Sequence, residues 1–228
     1  MPVVEQDVPR RTDRRRTGVG RDWDALPPLP PPGDEGEPGP APEARPPLSN
    51  AQLGMWMLLV GETMFFGGLV AAFLVLRTGA RAWPPPLQPR LPVEVTAVNT
   101  LVLLASSYVL ARALRAVRRG DARGLVGWLA GTALLGGTFL AVQGLEWARL
   151  VRFGLTVASG AYGATFYTLI GVHGAHVLGA LTWLALVLLA AARGCYSSLG
   201  HEGLVLCAMY WHFVVAVWPI LYVLVYLA

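Results

Sequence analysis

The sequence contains no lysine, only two cysteines and few charged residues for its length. All 18 basic residues among its 228 are arginines, and charged residues make up 14% of the chain. No basic run is interleaved with aromatic residues, as a nucleic-acid groove requires, which argues against nucleic acid as a partner. Cys195 and Cys207 are too few and too close together to build a disulfide framework or a metal knuckle.

Apolar residues are abundant instead. They make up 54% of the chain, and the mean hydropathy is +0.50, whereas a soluble protein is about 45–50% apolar even when glycine is counted. Five apolar segments are each long enough to cross about 30 Å of hydrocarbon as a helix. They lie near residues 52–76, 95–114, 124–147, 162–192 and 204–227. The sequence therefore predicts an all-α integral membrane bundle of five transmembrane helices.

The first 50 residues have a different composition. They hold 12 of the 18 prolines, together with seven arginines and nine acidic residues. Such a segment cannot bury enough apolar surface to order itself, which predicts a disordered leader over 1–50 and a membrane domain over 51–228. No apolar stretch of the kind found in a secretion signal follows its arginines, so we expect the leader to be retained.

The distribution of arginine predicts the orientation of the bundle. The connector at 112–123 carries five arginines and the connector at 193–203 carries one, and both lie on the same side as the leader. The other side has three arginines between 77 and 90 and two more at Arg149 and Arg152. The positive-inside rule then places the N-terminus in the cytoplasm and the C-terminus outside.

Ionisable side chains lie inside three of the predicted spans. Glu62 is near the middle of the first span, where an ionised carboxylate costs roughly 2.5–3.5 kcal/mol. His173 and His176 lie in the fourth span and His212 in the fifth. Their depths differ from that of Glu62 by roughly 10 Å at most, so a Glu62–histidine hydrogen bond is within reach. These four residues are candidates for a polar or proton-uptake relay, and the alternative is a purely structural hydrogen-bonding role.

The two histidines of the fourth span have a spacing that also suits metal ligands. His173 and His176 are three residues apart, but no cysteine or carboxylate flanks them on the same helix. We therefore expect histidines that are hydrogen-bonded between helices rather than a metal site.

Other predicted features concern packing and the membrane boundary. Gln143 and Glu146 share a helix face and are expected to form a polar cluster with Arg149 or Arg152. Small residues recur every four positions in the fourth span and predict a close helix contact. These residues are Gly171, Ala175 and Gly179. Aromatic residues near the span ends are expected to anchor at the headgroups. These are Trp56, Trp83, Trp147 and Tyr226.

Four segments resemble the subunit III family of cytochrome c oxidase and related haem–copper oxidases. The segment at 54–73, GMWMLLVGETMFFGGLVAAF, is similar to the family helix that carries an acidic residue before a Phe-Phe-Gly run. GLEWARL at 144–150 is similar to the element before the external loop. GAYGATFYTLIGVHGAHVLGA at 160–180 resembles the Gly-x-His-Gly-x-His-Val helix, and YWHFVVAVWPILYVLVYL at 210–227 resembles the C-terminal signature.

Two departures from the family pattern are visible. Val215 stands where the family commonly has an Asp, and only the leader occupies the place of the first two helices of the seven-helix form. The chain is thus similar to the five-helix members, in which the two absent helices are often fused to subunit I.

The resemblance implies an accessory subunit of a terminal oxidase that reduces oxygen and pumps protons in a bacterial-type plasma membrane. Haem and copper are then expected in subunits I and II, which are the expected partners together with membrane phospholipid. By the same resemblance, the chain itself is expected to carry no catalytic residue and to bind no metal or other cofactor. The resemblance also implies that Glu62 lies in a lipid-lined region facing subunit I, where it is expected to aid proton delivery and sustained turnover.

Three alternatives stay open on the sequence. The chain is similar to subunit III of quinol oxidases and to a relative associated with nitric oxide reductase. A stand-alone proton or solute transporter would use Glu62 and the histidines as its relay, although no internal repeat is visible.

Overall fold

The computed structural model describes residues 49–86 and 91–227. Within these ranges the chain forms five long helices and no strand. The helices are α1 (Asn50–Gly79), α2 (Val93–Arg118), α3 (Ala122–Arg152), α4 (Ala161–Ala192) and α5 (Glu202–Tyr222), and a π-helical turn at Val223–Leu227 extends α5. The leader predicted over 1–50 lies outside the described residues except for its last two positions.

All five helices are long and apolar enough to span a membrane, since the shortest candidate span has 26 residues and each residue adds about 1.5 Å. The predicted fold class is confirmed. The predicted ends differ most at α3, which continues to Arg152 rather than stopping at Trp147. Arg149 and Arg152 lie in its last turn, where the helix dipole favours positive charge.

Side-chain caps define where α1 and α3 begin. The Ser49 hydroxyl accepts from the Gln52 backbone N–H at 3.1 Å, and the Gln52 side chain accepts in return from the Ser49 N–H. At α3, the Asp121 carboxylate accepts from the Gly124 N–H at 2.8 Å. Gly120 precedes this cap with a φ of 73°, which a side chain would disfavour. The tight turn joins α2 and α3 into an antiparallel hairpin.

Helices α2 to α5 form a closed set of contacts, and α1 lies at its edge. α2 packs on α3, α3 on α4, α4 on α5, and α5 returns to α2. α1 packs against α4 and α5. This arrangement puts one face of α1 and one face of α4 side by side at the outside of the bundle.

The core is rich in aromatic side chains from α3, α4 and α5. Trp211 and Trp218 are among the largest fully buried side chains, and Phe139 packs edge-on to Trp218 at 5.0 Å between ring centroids. The tip of the Trp211 indole lies over Gly136, where an added Cβ would come within 2.4 Å of it. The close approach of α3 and α5 therefore depends on glycine at this position.

Candidate functional site

The carboxylate of Glu62 on α1 contacts the imidazole of His176 on α4. Glu62 Oε2 lies 3.0 Å from His176 Nε2. Both side chains are mostly buried, with exposed fractions of 20% and 19%. The edge position of α1 against α4 brings together two of the four residues proposed for a relay.

The second nitrogen of His176 fixes how many protons the pair holds. His176 Nδ1 lies 2.7 Å from the backbone carbonyl oxygen of Val172. A carbonyl oxygen only accepts hydrogen bonds, so Nδ1 carries a hydrogen and donates it. One further proton then bridges Glu62 and Nε2, either on the carboxyl group or on the ring. The net charge of the pair is zero in both arrangements.

Aromatic rings and an open edge surround this pair. The ring of Phe66 lies edge-on to His176 at 5.1 Å, and the ring of Phe65 lies at 6.1 Å. A shallow depression borders the pair and is lined only by residues of α1 and α4. Its lining residues are Met57, Leu58, Gly61, Glu62, Phe65 and His176. The pair is therefore buried on one side by this chain and accessible to a lipid or a partner chain on the other.

His212 belongs to a different contact. Its Nδ1 lies 2.5 Å from the hydroxyl oxygen of Ser107, which joins α5 to α2. It lines a separate apolar depression with Trp56 and Met209. The structure thus does not place His212 within one continuous relay with Glu62.

His173 is buried without a hydrogen-bond partner among the described residues. Its side chain is 1% exposed, and neither ring nitrogen is bonded. The ring stacks on Trp218 with centroids 5.0 Å apart. The expectation of an interhelical hydrogen bond is wrong for His173. Its side chain projects from α4 into the aromatic core rather than toward α1.

The two histidines of α4 have their nearest contacts within the bundle. In the part of the chain that the structure describes, no three His, Cys, Asp or Glu side chains are grouped closely enough to hold a metal ion. The imidazole of His173 faces aromatic rings, and that of His176 is held by Glu62 and Val172.

Comparison with known proteins identifies the family. The family model described as cytochrome c oxidase subunit III matches residues 48–228. The chain belongs to the cytochrome c oxidase subunit III family. It is 39% identical over 175 residues to cytochrome c oxidase subunit 3 of Synechocystis sp., covering 76% of this chain and 74% of that one.

Two further relatives give a similar result. Cytochrome c oxidase subunit 3 of Thermostichus vulcanus is 35% identical over 176 residues, which is 77% of this chain and 86% of the relative. The Bacillus subtilis protein of the same name is 35% identical over 179 residues, with coverages of 78% and 86%. The predicted resemblance is confirmed, and the match begins just before α1.

The polar pair at the end of α3 has two separate partners in this subunit III family member. Glu146 Oε1 accepts from Arg149 Nη1 at 2.7 Å. Gln143 instead donates through Nε2 to the hydroxyl of Tyr226 at 3.1 Å. Tyr226 is buried, with 8% of its surface exposed, so the prediction that it anchors at the headgroups is wrong.

Two more of the predicted aromatic anchors are half-buried against the core of the bundle. Trp83 lies edge-on to both Phe73 and Tyr162, at 5.7 and 5.1 Å between ring centroids. The indole of Trp147 lies over α4 and its Nε1 has no hydrogen-bond partner among the described residues. Trp56, by contrast, is 51% exposed on α1, as an anchor requires.

The stripe of small residues on α4 does not face another backbone of this chain. Ala175 and Gly179 are exposed, and nothing described lies within 4 Å of a Cβ added at Gly179. Only Gly171 is covered, by the tip of Trp147 at 3.5 Å from such a Cβ. The expected helix contact is therefore absent within the described chain, and any close helix at this stripe would have to come from a partner.

Sequence reasoning missed the polar residues of α2. Trp218 Nε1 donates to Thr100 Oγ1 at 2.8 Å, and Trp211 Nε1 donates to Ser106 Oγ at 3.1 Å. Asn99 Nδ2 donates to the Phe139 carbonyl at 3.0 Å. The spacing of Asn99, Thr100, Ser106 and Ser107 repeats about every seven residues, which is the signal of one polar helix face.

Proposed function

We propose that this chain is a non-catalytic, integral subunit of a cytochrome c oxidase and that it supports proton uptake and the stability of subunit I. In this role it packs mainly on subunit I, with subunit II nearby, and the haem and copper belong to those partners. Phospholipid fills the remaining contacts. The Glu62–His176 contact at the edge of the bundle is the observation that carries the proposal.

The chemistry of this pair suits proton handling. A single hydrogen bond joins the Glu62 carboxylate to His176 Nε2 at 3.0 Å, and either group can donate or accept a proton along it. Because the depression beside it opens at α1 and α4, a group on a neighbouring subunit can approach the carboxylate directly.

The exposure of α1 supports a partner on the same side. Only 17% of the most apolar window of α1 is buried within the chain. Met57, Leu58 and Phe65 line the depression beside Glu62 and are exposed, at 70%, 47% and 46%. Subunit I placed here would cover an apolar face and the open side of the pair together.

The proposed orientation keeps the N-terminus in the cytoplasm. The turn between α2 and α3 lies at the same end of the bundle as the start of α1, since the helices alternate in direction. Five arginines lie between positions 112 and 123, and an excess of arginine marks the cytoplasmic side.

The experiment is Glu62→Gln in the assembled oxidase. The Gln amide can donate to His176 Nε2 and keep the contact, whose loss would cost only about 0.6 kcal/mol on average between membrane helices. It cannot supply or accept a proton. We expect normal subunit content and a severalfold lower rate of proton uptake, measured with a pH indicator during turnover.

Glu146→Gln is the matched control. It removes another mostly buried carboxylate, which pairs with Arg149 at the far end of α3. Unchanged proton uptake is expected for this variant. Wild-type uptake in a fully assembled Glu62→Gln oxidase would contradict the proton role, and purification of the native chain without redox subunits would contradict the assignment to a complex.

A further inference from the structure

A line of arginines follows one face of α2 to its end. Tyr108, Arg112, Arg115 and Arg119 are separated by four, three and four residues, so they lie on one side of the helix. We call these four residues the arginine stripe. From Tyr108 to Arg119 it extends about 16 Å along the helix axis, from the apolar span to the polar turn before α3.

Arg112 is held in position within the stripe. Its guanidinium carbon lies 4.8 Å from the centre of the Trp128 ring on α3. Its Nη1 donates to the hydroxyl of Tyr108 at 3.4 Å. A guanidinium that is oriented by an aromatic ring retains further N–H groups in a fixed plane, which suits the oxygens of a phosphate.

No carboxylate within 49–86 or 91–227 pairs with the exposed arginines of the stripe. Arg115 and Arg119 are exposed, and neither forms an ion pair with a carboxylate in the described ranges. The acidic residue of this turn is Asp121, whose carboxylate caps α3 through the Gly124 N–H. The exposed guanidinium groups of the stripe are therefore open to an anionic partner.

The surface below the stripe is apolar and continues along the same face. Val98 and Leu101 are 63% and 65% exposed, and Leu101 lies seven residues before Tyr108, two turns away on the same side. Tyr108 and Trp128 mark the boundary, where aromatic residues sit at headgroup level. A ligand of this surface thus has an anionic group at the arginines and a long apolar part along α2.

We propose that the arginine stripe binds the phosphate of an anionic phospholipid whose acyl chain lies on Val98 and Leu101. Arg112 and Arg115 hold the phosphodiester, and Arg119 adds charge nearer the water. This site needs only the membrane placement of α2 and does not depend on the oxidase role, so either proposal can fail alone.

The test is a lipid titration of the purified full-length chain, followed by native mass spectrometry with phosphatidylglycerol and with phosphatidylcholine. We expect the wild type to bind phosphatidylglycerol more tightly by fivefold or more. Arg115→Gln and Arg112→Gln should each weaken that binding by about fivefold, the factor that corresponds to about 1 kcal/mol per basic residue at an anionic surface. Binding of phosphatidylcholine should not change.

Matched variants separate a built site from general charge. Arg193→Gln removes an exposed arginine at the same end of the bundle but outside the stripe. We expect it to weaken the binding of phosphatidylglycerol by less than about twofold, against about fivefold for each arginine of the stripe. Arg112→Lys keeps the charge but loses the planar group over Trp128, so it should still weaken binding. Arg115 is exposed and its side chain forms no hydrogen bond or ion pair with the described residues, so its variant remains informative if Arg112→Gln unfolds.

Three results would overturn the proposal. The first is equal binding of the two lipids by the wild type. The second is an equal loss in Arg193→Gln and Arg115→Gln, which would indicate diffuse surface charge. The third is displacement of the lipid by excess inorganic phosphate alone, which would indicate a site for a free anion.

Discussion

Helices α1 and α5 have the same mean hydropathy in their most apolar windows, 2.0, but 17% of the α1 window is buried and 44% of the α5 window. Hydropathy therefore predicts that both helices cross the membrane, but it does not predict whether a helix contacts its own chain, lipid or another subunit. α5 is held by its own chain. α1 presents most of its surface to lipid or to another subunit.

The residues of the two helices show how this difference arises. On α1, Gly54, Gly61 and Gly68 recur every seven residues, and nothing described lies within 4 Å of a Cβ added at any of them. On α5, Trp211 and Trp218 are fully buried and their N–H groups donate to α2. The uncovered glycines of α1 leave space for a partner helix. The hydrogen-bonded tryptophans of α5 instead fill the core of the bundle.

The largest difference between the two helices is expected when one tryptophan of each is replaced by alanine. We expect Trp211→Ala to lower the free energy of unfolding by about 3–5 kcal/mol, since it leaves a large cavity between α3 and α5. Trp56→Ala should change it by less than about 0.5 kcal/mol in the isolated chain, because that side chain is largely outside the core. Unfolding by SDS in mixed micelles measures both.

Equal losses for the two tryptophan variants would contradict the comparison, because they would mean that α1 is packed as tightly as α5. A loss for Trp56→Ala that appears only in the assembled oxidase would sharpen it. That result would place a partner on α1.

A smaller difference is expected for two glycines. Gly136→Ala places a methyl group against the Trp211 indole, at 2.4 Å from its nearest atom, and overpacking of this kind costs about 1–3 kcal/mol. Gly68→Ala adds the same methyl group where nothing described lies within 4 Å. We expect no loss of unfolding free energy for Gly68→Ala by the same SDS titration.

The opposite ranking of the two glycine variants would show that the core near Trp211 adapts. It would also show that α1 is the more constrained surface in the isolated chain. Gly137→Ala serves as a control for helix propensity on α3, because an added Cβ there meets nothing within 4 Å.

The fold was predictable because each span must satisfy its backbone hydrogen bonds internally and cross a hydrocarbon layer of fixed thickness. Depth along the helices also predicted that Glu62 lies within reach of a histidine. Depth does not give direction around each axis, so it did not distinguish His176, which meets Glu62, from His173, which stacks on Trp218. Closeness to a span end likewise did not predict that Tyr226 would turn inward to Gln143.

The smallest expected effect concerns one hydrogen bond between α2 and α5. Ser106→Ala removes the acceptor of the Trp211 N–H, which lies 3.1 Å from the Ser106 hydroxyl in the buried core. Hydrogen bonds between membrane helices contribute about 0.6 kcal/mol on average and up to about 1.7 kcal/mol. We expect a loss in this range, because the N–H of Trp211, which is 1% exposed, would be left buried without an acceptor. Thr138→Ala is the control, since its hydroxyl is exposed and donates to Leu134 within α3 at 2.8 Å. If Thr138→Ala lost as much stability as Ser106→Ala, the α2–α5 contact would owe its strength to packing of the tryptophan rings alone.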